Sequence, residues 1–124
     1  MSRGKVEISL DLKKEKDKRF LLSEVIPHID IVLDSYRPGV MDKLGLVPAQ
    51  IHIVNPKVIY ARLSGYGQSP SKYQQTAGHD QNYLALTGIL NKFRRVGRLS
   101  APVPPSNFLA DFASGSLDCF NLIL

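Results

Sequence analysis

Two side chains in this sequence stand where proton chemistry could be done. His79 follows Ala77-Gly78 and precedes Asp80, at the head of a predicted helix. An imidazole in that place can accept or give a proton near neutral pH. Asp111 lies inside the otherwise apolar run Phe108-Leu109-Ala110-Asp111-Phe112-Ala113. An acid in such company is either the polar stripe of an amphipathic helix or a partly buried working carboxyl, and the local sequence leaves both readings open. The small residues Ala113, Ser114 and Gly115 follow and permit close packing, while Asp118 falls seven residues on, near the same helix face. Taken alone, a lone histidine such as His79 is read first as a capping or surface residue. His28, after Pro27, and His52, inside a short helical piece, read as structural, and Cys119 reads as a core residue.

Two further segments suit an anionic ligand. Arg37-Pro38-Gly39 sets a basic residue in a rigid turn, with Lys43 about one helical turn later. Cations beside a helix start favour an anion, although an ordinary loop-to-helix junction has the same spacing. Ser64-Gly65-Tyr66-Gly67 is a glycine-rich strand exit that lets a ligand approach the backbone. It lacks the Lys of a Walker loop and the third Gly of a dinucleotide fingerprint, and a plain tight turn also fits.

The elements that must position these groups follow from periodicity. Lys5 to Leu12 alternates polar and apolar, which predicts a strand with Val6, Ile8, Leu10 and Leu12 on one face. Lys14 to Val25 has helical spacing and is stopped by Pro27. Ile29 to Leu33 predicts a short buried strand, Met41 to Leu44 and Pro48 to Val54 two short helices, and Val58 to Leu63 a third strand. Ser64 to Gly78 reads as a long loop, His79 to Leu90 as a helix, Arg94 to Ser106 as irregular and Asn107 to Leu124 as an apolar helix. No internal repeat is present. Strand, helix, strand, short helices, strand is the order of a parallel α/β sheet. In such sheets ligands bind beyond the carboxyl ends of the strands, here Asp11-Leu12-Lys13, Ser35-Tyr36-Arg37 and Ser64 to Gly67.

Composition narrows the function classes. The 124 residues suffice for one domain, and 44% hydrophobic with 22% charged residues is ordinary for a globular chain. The net charge of +5 suits an anionic partner, and Lys13, Lys14, Lys16, Lys18 and Arg19 concentrate it. Glu15 and Asp17 interrupt that run, so a solvated helix face accounts for it. Nothing resembles a recognition helix, a zinc finger or an aromatic RNA platform, and no nucleic-acid partner is expected. No apolar run approaches the roughly 20 residues of a membrane-spanning helix, and Ser2 to Asp11 lacks the apolar stretch of a secretory signal. One cysteine allows no internal disulfide, and an intracellular compartment is expected.

Five strings occur in register: Leu10 to Lys13, Ser35 to Gly45, Asn55 to Gln68, Ala77 to Gly88 and Asn107 to Phe112. In their order and residues they resemble the family III CoA-transferases (CaiB/BaiF type), in the α-methylacyl-CoA racemase branch, from about Arg3 onward. The resemblance implies a partial Rossmann-like parallel sheet with flanking helices, spanning 1–124 and incomplete at both ends. It implies His79 and Asp111 as the catalytic pair. Leu10, Asp11, Leu12 and Lys13 would hold the adenosine end of the coenzyme. Tyr36, Lys43 and Arg62 would lie near its phosphates or pantetheine, and Gly78, Asp80, Gln81, Asn82 and Tyr83 would line the thioester. The implied activity is an isomerase that inverts the α-carbon of 2-methylacyl-CoA thioesters, with no metal and no cofactor, coenzyme A being part of the substrate. A thioester stabilises an α-enolate, and a neutral imidazole on one face with a protonated carboxyl on the other suffices to invert the centre.

Relative to the family pattern, the first strand–helix unit with its basic residue and the later portion with a further acidic residue are expected to be missing. Family members form interlocked homodimers, so the chain alone is expected to be inactive, oligomeric, chaperone-bound or partly molten. Gln81 replaces an expected apolar residue. The transferase alternative uses the aspartate at the place of Asp111 as a nucleophile and typically lacks the histidine. A second alternative is a non-catalytic acyl-CoA-binding or unstable product. The resemblance places the protein in the mitochondrion or peroxisome, and the cytoplasm otherwise.

Overall fold

The structure, a computed structural model, describes residues 3–95, 100–105 and 109–124. Val96 to Leu99 and Ser106, within the stretch expected to be irregular, and Asn107 and Phe108, at the expected start of the last helix, lie outside the described residues. The chain divides into two compact units, Met1–Val32 with Gly39–Tyr60, and Leu33–Pro38 with Ala61–Leu124.

The first unit is organised by aliphatic burial. Helix α1 spans Glu15–Phe20 and continues as a π-helical turn, Leu21–Val25, then a 3-10 turn, Ile26–His28. Pro27 has no N–H to continue the ladder, so the expected helix ends where its periodicity said it should. Short helices α2, Val40–Lys43, and α3, Pro48–Val54, follow. Pro48 occupies the first turn of α3, where its missing N–H costs nothing, and the helix closes at Asn55, ahead of Pro56. Ile26, Met41, Leu46, Ile51 and Val58 form the core, with Leu12, Leu21, Leu22 and Val54 against it. Three side chains pin the backbone around that core. The Asn55 amide donates to the carbonyls of Ile26 (3.0 Å) and Ile29 (2.8 Å). The Tyr60 hydroxyl donates to Leu46 O (3.2 Å), and a His52 ring nitrogen lies 3.0 Å from Val58 O.

Strand β1, Ile31–Asp34, and strand β2, Ile59–Arg62, form a parallel two-stranded sheet. Ile59 N donates to Asp30 O and Leu63 N to Asp34 O, both at 2.9 Å. The α/β class therefore stands, with two strands among the described residues where three were expected. Residues 5–11 carry the alternating pattern but form no strand, and Val6 is 92% exposed. Alternation assigns faces only once a partner supplies a ladder, and β1 and β2 pair with each other alone. Strand β1 also differs from the fully buried strand expected. Val32 is half-buried and Asp34 buried, whereas Ile31 and Leu33 on the opposite face are exposed.

In the second unit, helix α4 spans Asp80–Leu86, a 3-10 segment Ile89–Phe93 follows it, and a π-helical segment, Leu109–Leu117, leads into α5, Asp118–Ile123. The expected helix from His79 to Leu90 breaks in its last turn. There Thr87 N still donates to Tyr83 O (3.1 Å), and Gly88, with φ +78°, takes the left-handed conformation that closes a helix. In the stretch expected to be irregular, Arg94 and Pro102 form an isolated antiparallel bridge. No helix among the described residues is long and apolar enough to cross a membrane.

Candidate active site

The exits of β1 and β2 lie in the second unit together with α4 and the Leu109–Leu117 segment. Two cavities open there. One, of about 660 Å³, is lined by Ser35, Leu63, Ser64, Gly65, Tyr83, Ala110, Asp111, Ser114 and Gly115. The other, of about 360 Å³, is lined by Ser35, Arg37, Leu63 to Tyr66, Gln74, Thr76 to His79 and Tyr83. Asp111 thus borders the first and His79 the second. Ser35, Leu63, Ser64, Gly65 and Tyr83 belong to both, as a common wall.

Each member of the pair is placed by its own helix start. His79 is the N-cap residue of α4, with extended backbone, so the capping role and the cavity position coincide. Its backbone N–H donates to Asn82 Oδ1 (3.0 Å), which commits the Asn82 side chain to the cap. Asp80, next in sequence, is buried, and its Oδ2 accepts the backbone N–H groups of Ala110 (2.8 Å) and Asp111 (3.0 Å). The segment that carries Asp111 has a π-type register, and the Ser116 hydroxyl donates to Asp111 O (3.0 Å). Such widened turns recur at functional sites. The small residues Ser114 and Gly115 after it form cavity wall, as their size suggested.

Tyr83 is the aromatic centre of the common wall. Its ring meets Tyr66 edge-on at 5.2 Å, and Tyr66 in turn packs on Tyr73 at 5.5 Å. Gly65 and Gly78 are required by this packing. A Cβ on Gly65 would collide with the Tyr83 hydroxyl, and one on Gly78 would come within 2.7 Å of the Tyr83 ring and 2.8 Å of the Tyr66 hydroxyl. Desolvation, then the charge of Tyr66, then that of Asp111 push the Tyr83 phenol above its ordinary pKa.

The polar residues at the strand exits are engaged with the protein itself. Asp34 is buried. It accepts Tyr36 N on Oδ1 (2.9 Å), and its Oδ2 lies 3.8 Å from Arg62 Nε. Arg62 therefore faces a carboxylate, which reduces the charge it offers a coenzyme phosphate. Arg37 Nη1 donates to Gln75 O (3.2 Å), and Gln75 Nε2 donates back to Pro38 O (3.0 Å), latching the β1 exit to the following loop. Tyr36 and Gln81 are exposed. Leu10, Asp11, Leu12, Lys13 and Lys43 belong to the first unit. Asp11 there shapes a turn ahead of α1, with Oδ1 accepting Lys13 N (3.1 Å) and its own N–H donating to Asp17 Oδ2 (2.8 Å), rather than leaving a strand. Asp34 and Tyr73 were not legible as site elements, whereas Tyr66 stood in the glycine-rich exit already singled out. An acid closing a β-branched run two residues before Tyr36, and a second tyrosine seven residues after Tyr66 in the same loop, are the signals that mark them. Among the described residues no three His, Cys, Asp or Glu side chains gather as a metal site would need.

The model of CoA-transferase family III matches residues 1–124. The chain is 47% identical, over 119 residues, to the alpha-methylacyl-CoA racemases of Mus musculus and Homo sapiens, a match that covers 96% of this chain and 30% of each relative. Among solved structures, a hypothetical protein from Mycobacterium tuberculosis superposes with a TM-score of 0.81 at 32% identity, over 97% of this chain and 33% of that one. The chain thus spans about a third of the length of the proteins it matches.

Proposed function

The chain belongs to CoA-transferase family III, and on that premise we propose that it carries the acid–base pair of an acyl-CoA racemase. The observation that carries the reading is the placement of His79 and Asp111 on two cavities that share one wall. A 2-methylacyl group seated against that wall would present its α-carbon between the two side chains. For one enantiomer, the His79 imidazole takes the α-proton and the electron pair moves into the thioester carbonyl as an enolate. The Asp111 carboxyl then returns a proton to the opposite face, and the reverse sequence serves the other enantiomer. The first turn of α4 leaves N–H groups without helical carbonyl partners, which are the donors an enolate oxygen needs. No metal or redox group enters these steps.

Gly78, Gln81, Asn82 and Tyr83 would line the thioester, Asn82 and Tyr83 by holding the wall and cap in place. Tyr36, Lys43 and Arg62 would meet the phosphates or pantetheine, and Leu10 to Lys13 the adenosine end. A homodimer in the mitochondrion or peroxisome, with no nucleic-acid partner, completes the reading. Desulfo-coenzyme A tests the binding half of it. Lys43→Glu should weaken binding and flatten its salt dependence, and equal affinity across ionic strengths would remove Lys43 from the site.

Solvent deuterium tests the chemistry. Each enantiomer of a 2-methylacyl-CoA is incubated in heavy water with this chain, and with a mouse racemase whose matching segment this chain replaces. Exchange at the α-carbon is expected in the chimera and little or none in the chain alone, with His79→Ala and Asp111→Asn in the chimera each depressing it most from a different enantiomer. Absence of exchange in the chimera would remove the racemase reading. Trapping of Asp111 as a hydroxamate by hydroxylamine during CoA exchange would favour group transfer, with Asp111 as nucleophile, instead.

A further inference from the structure

The racemase reading needs two side chains at a fixed separation, yet His79 and Asp111 lie 32 positions apart in sequence, on different helices. One buried group joins their backbones. Asp80 is only 6% exposed and begins α4, directly after His79. Its Oδ2 accepts the N–H of Ala110 at 2.8 Å and of Asp111 itself at 3.0 Å. A charged acceptor on two main-chain donors is among the stronger hydrogen-bond arrangements available, and at a helix start the anion is further stabilised by the aligned peptide dipoles. Both donors fall at the beginning of the Leu109–Leu117 segment, so the bonds fix where that segment starts as well as how it is turned.

We infer that Asp80 is a positioning residue, a carboxylate strap that ties the backbone of Asp111 to the helix capped by His79 and so sets the geometry of the pair. The assignment rests on the racemase reading for its consequence in catalysis, but the strap itself does not. Asp80, which the resemblance would set along the thioester, borders neither of these cavities, and its Oδ2 is engaged by main chain. It also explains why an acid follows the histidine. A carboxylate one residue later would lie about 100° further round the helix and could not reach the same amides.

The strap is tested by amide hydrogen exchange in this chain, read at Ala110 and Asp111 and, as a control, at Ile51 and Val54 in the first unit. Asp80→Ala should speed exchange at 110 and 111 about tenfold or more with the control amides unchanged. Asp80→Asn, whose carbonyl can accept in place of Oδ2, should restore most of the protection. Unchanged protection at 110 and 111 in Asp80→Ala overturns the strap. If Asp80→Ala fails to fold, Asp80→Ser, whose shorter side chain cannot span both amides, replaces it: selective loss of protection at 110 and 111 supports the strap and unchanged protection there overturns it. The catalytic arm uses the chimera with a 2-methylacyl-CoA. Asp80→Ala should lower kcat about a hundredfold, the cost of misplacing a reacting group by an ångström, with KM nearly unchanged and with rescue by Asp80→Asn. A rise in KM at constant kcat would assign Asp80 to substrate binding instead. If wild type shows no exchange of substrate protons, the racemase reading fails while the amide measurement still decides the strap.

Discussion

The two units of this chain are held together by different physics. In the first, five of the six buried hydrophobic residues among those described, Ile26, Met41, Leu46, Ile51 and Val58, make one aliphatic core. In the second, Leu84 is the single buried hydrophobic residue among those described, while both buried acids, Asp34 and Asp80, lie there. The first unit keeps its shape by removing apolar surface from water. The second keeps its shape by charge-assisted bonds and tyrosine packing, and every one of those ties borders or adjoins the cavities. A scaffold can be apolar throughout, whereas a wall that must face a polar thioester and a developing enolate needs polar groups held by other polar groups.

That contrast can be broken by substitution. The largest effect is expected in the aliphatic core. Leu46 and Ile51 are 0% and 1% exposed, and Leu46→Ala or Ile51→Ala should each cost about 2–5 kcal/mol, read as lost amide protection across the first unit. A cost below about 1 kcal/mol would mean the core is not what organises that unit. Next comes the tyrosine wall. Gly65→Ala should cost about 1–3 kcal/mol by overpacking against Tyr83, and Tyr83→Ala in the same chain should relieve most of it. Additive effects of the two changes would show that they are not in contact. Asn55→Ala comes third, at about 1–2 kcal/mol, because two carbonyls lose their donor. Denaturant unfolding measures it, and no change would contradict the bonds.

The smallest effect sharpens the comparison through pH. The Tyr83 phenol has a folded-state pKa raised above its ordinary value of 10.0, by burial, then Tyr66, then Asp111. The folded state therefore holds this proton more tightly than the unfolded state. The stability it contributes is fully present below the ordinary tyrosine range and is lost as pH rises through the raised folded value. Tyr83→Phe should flatten the alkaline decline in stability, and ultraviolet titration should show one tyrosine ionising late. A decline of the same slope in Tyr83→Phe would place its source elsewhere.

What the sequence made legible follows the same division. Helix α3 is bounded as Pro48 and Asn55-Pro56 dictate, and the strand positions around Val32 and Tyr60 follow from β-branched runs and turns. Local signals of this kind need no partner. Residues 5–11 carry an equally clear alternation and form no strand, because a ladder is a property of two segments and one was read alone. His79 was legible as a helix head because capping is local. The fastening of Asp111 by Asp80 was not, since it joins residues 31 apart through main-chain donors that leave no mark on side-chain identity. Nor was the pairing of Arg62 with Asp34, since the resemblance set Arg62 near the coenzyme and nothing in the sequence singled out Asp34.

The central claim is that His79 and Asp111 act on opposite faces of one α-carbon. It is tested most directly by deuterium incorporation from heavy water into each enantiomer of a 2-methylacyl-CoA, with the chimera that carries this chain. The account predicts that His79→Ala abolishes exchange chiefly from one enantiomer and Asp111→Asn chiefly from the other. Loss of exchange from both enantiomers to the same degree in either variant would show a single base at work and would contradict the pair.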